Sequence, residues 1–379
     1  MSKNGDWSTW RGSSSELTVG IEEELMLLDP RDWSLAFRSD EVLDNLPEDL
    51  RERVTLETHA AVMEISTGVH RAVSDAVAEL ADLRERLSRA LAEQGLRAAV
   101  AGTHPCATAD ETVVSSHPRY SHIANSMRVL AMREPTLATH VHVGVATPAA
   151  AIRLMNRIRA HLPLLLAVSA NSPFWRGWAT GFASTRTTLW DAFPRSGVPR
   201  AFRGYRDWIH TVSPLVGSGA IADPSYLWWD VRLQPRYGTV EVRVMDGQTT
   251  TADVAAIAAL VQSLAGLELD RLDDPPRTVE VIAENRFLAA RDGMRALLID
   301  VDTGERVPGS TQLDLTLAAC GPHARRLRCD RELHAVRRLA ARTGAARQLA
   351  HAAQGGLRRV VAGLAHAYCP DAPAVARAA

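Results

Sequence analysis

Four short segments of this 379-residue chain set ionisable groups at alternate positions among apolar residues. The first is Thr18-Val19-Gly20-Ile21-Glu22-Glu23-Glu24-Leu25. Side chains alternate faces along a strand, so Glu22 and Glu24 point one way and Glu23 the other. Two carboxylates about 4 Å apart repel by roughly 4 kcal/mol at an effective dielectric near 20. A cation removes that cost, and hard ions such as Mg²⁺ prefer carboxylate oxygens. The competing reading is a solvated edge strand.

The second segment runs from Leu56-Glu57-Thr58 to Met63-Glu64-Ile65. Glu57 and Glu64 are an odd number of residues apart, so one flat strand would send them to opposite faces. Both join one site only through a bend or two strands, and Glu64, between Met63 and Ile65, is the stronger candidate. The third is Thr139-His140-Val141-His142-Val143, where the imidazoles share a face and can ligate a divalent metal or contact a nucleotide. The fourth is Val240-Glu241-Val242-Arg243-Val244. Glu241 there offers a metal or amine contact and Arg243 a guanidinium for carboxylate or phosphate; a cross-strand ion pair is the plainer alternative. An antiparallel sheet with one polar, concave face would gather these groups around two metals, an arrangement suited to phosphoryl transfer.

The elements needed to position them are legible in outline. Extended segments are expected over Leu17–Leu28, Val54–Thr67, Leu96–Gly102, Thr139–Ala146, Leu227–Leu233 and Thr239–Met245. Helices are expected over Ala72–Gln94, His117–Leu130, Ala149–Ala170 with a kink at Pro163, Ala201–Val212, Ala252–Leu269, Val279–Asp292 and Arg331–Gln348. Strands and single helices do not alternate regularly, which favours an α+β fold over a doubly wound parallel sheet. Residues 1–15 read as a flexible arm, 16–365 as a single catalytic domain and 366–379 as a frayed tail. In the Trp228-Trp229 pair, one ring is expected in the core and one on a wall.

Lys plus Arg number 43 and Asp plus Glu 44, so no net field attracts nucleic acid or an anionic membrane. The longest apolar run noted, Leu162–Ala170, is about half a membrane span. No apolar signal segment is seen at Met1–Trp10, and a cytoplasmic location is expected. Cys106, Cys320, Cys329 and Cys369 form no C-x-x-C pair and read as thiols of a reducing compartment. No G-x-x-x-x-G-K-S/T loop is present, so a nucleotide must be held another way.

Longer matches then appear in order: TVGIEEELMLLD (18–29), MEISTG (63–68), AGTHP (101–105), Arg119-Tyr120, THVHVGV (139–145), SANSPFW (169–175), TGFASTRTTLW (180–190), YLWWDVR (226–232), GTVEVRVMD (238–246) and ENRFLAARDG (284–293). With these the chain resembles the carboxylate–amine ligase family related to bacterial glutamate–cysteine ligases, allied by catalytic fold with glutamine synthetases. The resemblance implies a six-stranded antiparallel sheet with helices behind it, ATP, and two Mg²⁺ sites that Mn²⁺ could also fill. It implies Glu22, His140 and Glu241 at one metal and Glu24 and Glu64, with Glu57 as a further candidate, at the other. His142 would lie near the nucleotide. Arg243, Arg186 and Arg232 would stabilise phosphate or substrate carboxylate, Arg186 also touching the nucleotide. His104, Arg119 and Tyr120 match family positions and are substrate-binding candidates. The family's usual WDVRPHPR reads WDVRLQPR here, with Leu233-Gln234.

The activity so implied is ATP-dependent amide formation through an acyl phosphate. L-glutamate is the expected carboxylate, cysteine or another amino compound the amine, and a homodimer the expected assembly. Two rivals are a catalytically silent ATP- or metal-binding homologue and a phosphotransferase on the same scaffold.

Overall fold

The computed structural model describes residues 6–12, 17–108, 112–271, 278–300 and 303–372. The principal strands are β1 (Val19–Leu28), β2 (Val54–Leu56), β3 (Val62–Ser66), β4 (Arg97–Ala99), β5 (Thr139–Gly144), β6 (Val231–Gln234) and β7 (Thr239–Val242). The principal helices are α1 (Val73–Glu93), α2 (Pro118–Met127), α3 (Pro148–Ile158), α4 (Leu162–Ser169), α5 (Thr185–Trp190) and α6 (Tyr205–Gly217). They continue with α7 (Thr251–Asp270), α8 (Val279–Asp292), α9 (Gly309–Leu327), α10 (Asp330–Ala341) and α11 (Gly344–Tyr368).

The strands form one antiparallel sheet in the order β6-β7-β5-β1-β3-β2, with β4 paired to the far half of β1. The sheet therefore has seven strands rather than the expected six. Alternation works as the sequence suggests. Ile21, Leu25, Met63, Ile65, Val141, Val143, Val240 and Val242 form the back face, and they share one core with α1 and α7. Helix α1 contributes Val73, Leu80, Leu83, Leu87 and Leu91 at three- and four-residue spacing. Helix α7 is apolar nearly all round because it is enclosed nearly all round. It has the length and hydropathy to cross a membrane, but 78 % of that window is buried in the protein. It displaces Leu162–Ala170 as the longest such segment.

Glu23 also points to the back face, where it is fully buried and ion-paired with Arg84. Arg84 donates further to the carbonyls of Thr249 (2.9 Å) and Gln248 (2.9 Å), and its guanidinium lies 4.5 Å from the Tyr368 ring centre.

Several element boundaries differ from the sequence expectation. Val54–Thr67 is not one extended segment but the antiparallel hairpin β2–β3, with Leu56 opposite Met63. Ala149–Ala170 splits into α3 and α4, because Pro163 starts a helix instead of kinking one. The expected helix Arg331–Gln348 ends at Ala341, and α11 begins afresh after Thr343, whose side chain accepts from Ala346 N. Helix α9 lies outside the helices expected from the sequence and carries Pro322 in its interior.

The expected arm and tail are both partly built into the fold. Trp7 packs edge-on against Trp208, Trp10 Nε1 donates to Val145 O (3.1 Å), and Arg11 N donates to Pro235 O (2.8 Å). Gly238 makes this strap's approach feasible: at φ +65°, a Cβ there would sit 2.4 Å from Arg11 O. At the other end α11 breaks at Gly355-Gly356 and continues to Tyr368, which is buried. Residues 1–5, 13–15 and 373–379 of those two segments lie outside the described residues.

Candidate active site

Strand register puts the ionisable residues of the four segments, Glu23 apart, on the front face. Glu22 is opposite His140, Gly20 opposite His142, and Glu241 opposite both His142 and Arg232 on its two sides. Glu24 faces Glu64 across β1 and β3, and the hairpin returns Glu57 to the same side. The odd spacing of Glu57 and Glu64 is thus resolved by two strands.

The ligating atoms fall into overlapping triads. Oxygen and nitrogen atoms of Glu22, His142 and Glu241 lie within 4.8 Å of one another, as do those of Glu22, Glu64 and His140, and those of Glu24, Glu57 and Glu64. His142 Nε2 is 3.1 Å from Glu22 Oε1, and its Nδ1 is held by Thr239 Oγ1 at 2.9 Å. His140 stands between the groups, with Nδ1 3.3 Å from Glu22 and Nε2 3.8 Å from Glu24. His142, expected only near the nucleotide, is also grouped with Glu22 and Glu241, His140 Nδ1 lies 3.8 Å from Glu241 Oε1, and Glu57 and Glu64 both accompany Glu24.

The electrostatics separate these carboxylates. Burial raises the Glu22 carboxyl, but His142 and His140 outweigh burial and hold it well below the usual range. Burial raises Glu241 too, and Arg232 and Arg243 overcome it; Arg232 Nε is 2.6 Å from Glu241 Oε2, and Arg243 pairs with Oε1. Gln234, at the departure from the family's usual sequence, donates to the same carboxylate at 2.7 Å. In the other group Arg243, with Arg186 near Glu24 and Arg119 near Glu57, compensates only in part. Burial, then the neighbouring Glu57 charge, pushes Glu24 up to about 7. Burial and the charges of Glu22, Glu57 and Glu24 push Glu64 well above the usual range, and burial raises Glu57. His140 is held neutral, at about 4, by burial and then by Arg243.

These residues fit divalent cations. The Nε2 atoms of His140 and His142 are buried without a hydrogen-bond partner and sit against carboxylates. Glu24, Glu57 and Glu64 are the excess negative charge that a hard cation neutralises.

Glu22, Glu24, Glu57, Glu64 and His140 line a cavity of 710 Å³ together with Arg119, Tyr120, Arg232 and Arg243, while His142 and Glu241 are buried beside it. Arg119 donates to Ser225 Oγ (3.0 Å), and Tyr120 OH donates to Leu56 O. Burial and then Glu57 raise the Tyr120 hydroxyl, so it stays protonated. Besides His142 and Glu241, two expected residues lie off the cavity wall. Arg186 is buried behind Arg243, its guanidinium on the carbonyls of Val244 and Arg243, both at 3.2 Å. His104 is a framework residue: Nδ1 accepts from Ala107 N (3.0 Å), and Nε2 donates to Trp33 O (2.9 Å). Trp228 is the wall residue of its pair, and half-buried Trp229 packs on Phe202.

Sequence reasoning missed Asp246, the residue that ties two matching segments to the sheet. It accepts from Asn171 N (2.8 Å), Ser172 Oγ (2.7 Å) and Ser184 Oγ (2.8 Å). Its place at the end of the match GTVEVRVMD (238–246) was the available signal. Arg133, Trp190 and Phe193, which also line the cavity, carry no spacing signal at all.

The model for glutamate–cysteine ligase family 2 matches residues 18–363. A protein of Rubrobacter xylanophilus, provisionally named glutamate–cysteine ligase 2-1, is 39 % identical over 325 residues, covering 85 % of this chain and 86 % of its own. A Sorangium cellulosum relative, provisionally named glutamate–cysteine ligase 2, is 36 % identical over 342 residues, or 88 % and 91 % of the two chains. In fold, the chain resembles the glutamate–cysteine ligase of Francisella tularensis solved in complex with AMP. The TM-score is 0.70 at 12 % identity, over 96 % of this chain and 91 % of that one. A bifunctional glutathione synthetase from Pasteurella multocida gives a TM-score of 0.69 at 14 % identity, over 94 % of this chain and 52 % of that one. With relatives this similar over most of both lengths, and a matching model that spans the whole sheet, the chain belongs to glutamate–cysteine ligase family 2.

Proposed function

We propose that this protein is a Mg²⁺- and ATP-dependent carboxylate–amine ligase, with L-glutamate as acyl donor and an amino compound, cysteine by family default, as acceptor. The observation that carries the reading is the pair of neighbouring triads, whose members Glu22, Glu24, Glu57 and Glu64 line one cavity with His140 and Arg243. In the first step the donor carboxylate oxygen attacks the γ-phosphorus, the bond to the β-phosphate oxygen breaks, and ADP leaves. In the second, the amine nitrogen attacks the acyl carbon of the acyl phosphate, and phosphate departs with the C–O bond electrons. Glu22, His142 and Glu241 would hold one divalent ion and Glu24, Glu57 and Glu64 the other, with His140 between them. Ions bound there would neutralise phosphate charge as it shifts.

Arg243 supports both steps. Burial lowers its proton affinity, but Glu241 more than restores it, so the guanidinium stays charged at the cavity wall. Arg232 and Gln234 hold Glu241, which in turn orients Arg243. Arg186 acts from behind, as a positioning residue. Well-placed arginines contribute about 10³–10⁵-fold in other phosphoryl-transfer sites. A cytoplasmic homodimer belongs to the same reading.

The test is ADP release with L-glutamate and a panel of amines, with and without Mg²⁺. Amine-dependent, Mg²⁺-dependent release is expected. Release that ignores the amine would favour a phosphotransferase, and no release with any pairing would refute the enzyme.

A further inference from the structure

The two ends of the cavity differ in chemistry. Strand β5 runs from Thr139 to Gly144, and Gly144 pairs with Thr239. Arg236 and Tyr237, just before Thr239, therefore mark one end, together with Trp7 and Arg11. The wall away from that end is formed by Leu189, Trp190, Phe193 and Trp228. The Trp190 and Phe193 ring centres are 5.0 Å apart, and Trp228 lies 6.0 Å from Trp190 and 5.9 Å from Phe193. The only polar atom of the Trp190 ring is already used, donating to Trp228 O at 3.3 Å. The wall thus presents ring carbon to a cavity whose floor is charged. Trp190 and Phe193 are half-buried, so their remaining surface is available to a ligand.

Beside the rings stands Arg133. Its Nη1 is 3.5 Å from Leu189 O, and its guanidinium is 5.9 Å from the Trp175 ring centre. It has no ion-pair partner among the described residues. The adjacent carboxylate, Glu134, is engaged by Arg176 and by Trp175 Nε1 (3.1 Å). The Arg133 main chain is pinned, its carbonyl accepting from His59 Nε2 at 2.9 Å. A guanidinium without an ion-pair partner among the described residues, on a pinned main chain and next to an apolar wall, matches a carboxylate attached to an apolar group.

From this we infer that Leu189, Trp190, Phe193 and Trp228 form the acceptor pocket, with Arg133 as its carboxylate anchor. The acceptor it selects is an amino acid with a large apolar side chain, in preference to cysteine. The inference rests on the ligase reading above. A cysteine side chain is too small to cover three rings, whereas an aromatic or long aliphatic one removes their surface from water.

The experiment measures ADP release with saturating ATP, Mg²⁺ and L-glutamate, using L-phenylalanine, L-cysteine and 2-phenylethylamine as acceptors. L-Phenylalanine is expected to exceed L-cysteine in kcat/KM by about tenfold or more, the scale of an apolar-pocket discrimination. Phe193→Ala is expected to collapse that ratio and Phe193→Tyr, which keeps the ring, to preserve it. Arg133→Gln is expected to erase the advantage of L-phenylalanine over 2-phenylethylamine, and Arg133→Lys to restore part of it. Calorimetry of L-phenylalanine binding, with Mg²⁺ and a non-hydrolysable ATP analogue present, supplies a readout independent of turnover. Binding that Phe193→Ala weakens, without turnover by any acceptor, would keep the pocket and refute the ligase. A preference for cysteine, a ratio unmoved by Phe193→Ala, or a rise in KM for ATP in place of the acceptor would overturn the inference. So would the absence of both binding and turnover.

Discussion

Glu241, fully buried, and Glu64, half-buried, are both glutamates on the front face, but substitution should affect them oppositely. Glu241 neutralises Arg232 and Arg243, so Glu241→Gln leaves two guanidinium groups uncompensated. The expected cost is about 3–5 kcal/mol, read from urea unfolding. Glu64 is surrounded by like charges, so Glu64→Gln should leave the metal-free protein at least as stable while abolishing its stabilisation by Mg²⁺. A metal-free destabilisation by Glu64→Gln as large as that of Glu241→Gln would contradict the assignment. Glu24 adds a pH dependence. Its carboxyl is pushed up to about 7 from a usual value of 4.5, so between these pH values the folded chain keeps a proton that the unfolded chain has released. That group's contribution to metal-free stability falls as pH rises through this window, and Mg²⁺ must displace the proton. The rise in melting temperature caused by Mg²⁺ should grow from pH 5.5 to 7.5. An increment independent of pH would count against Glu24 as a ligand.

At the scale of elements, the back of β1 depends on one charge pair. Arg84 joins Glu23 to the carbonyls of Thr249 and Gln248, and so links α1, β1 and the start of α7. Arg84→Met should cost about 3–5 kcal/mol in denaturant unfolding, because a buried carboxylate loses its partner. Adding Glu23→Leu should recover only part of that loss, since the two carbonyls remain unpaired. Full recovery would mean that the carbonyl contacts contribute little. Parity in the sequence placed Glu23 on the back face. Nothing local named Arg84, because 61 residues separate the pair and only the packing of α1 on the sheet brings them together. The β2–β3 hairpin teaches a similar lesson. The odd interval between Glu57 and Glu64 implied a bend or a second strand, and the hairpin's register supplied it.

In the whole molecule, the ends of the described chain complete the site. The front face of β1 turns apolar after Glu24, at Met26 and Leu28, and Val360, Val361 and Leu364 of α11 cover it there. Ending the chain at Gly355 removes those three side chains, at ~1.5–3 kcal/mol each, a sum comparable with the whole stability of a domain. Such a truncation is expected to be insoluble or to melt far below the full chain; an unchanged melting temperature would show that α11 is dispensable. At the other end, Trp7 and Arg11 line the cavity, so the described part of the expected arm is part of its wall.

The sequence by itself determined which residues could share a face, because strand alternation is a local property that needs only neighbouring residues. Glu22 with Glu24, His140 with His142, and Glu241 with Arg243 were legible for that reason, and so was an antiparallel α+β architecture. Tertiary structure alone decided which faces meet. The pairing of β7 with β5 brought His142 to Glu241, and the β2–β3 hairpin brought both Glu57 and Glu64 to Glu24. It also withdrew His104 and Arg186 from the cavity wall, with both ring nitrogens of His104 and both Nη atoms of Arg186 on the backbone, and set Arg133 beside an aromatic wall. Contacts of that kind depend on segments far apart in the chain, and no periodicity in either segment encodes them.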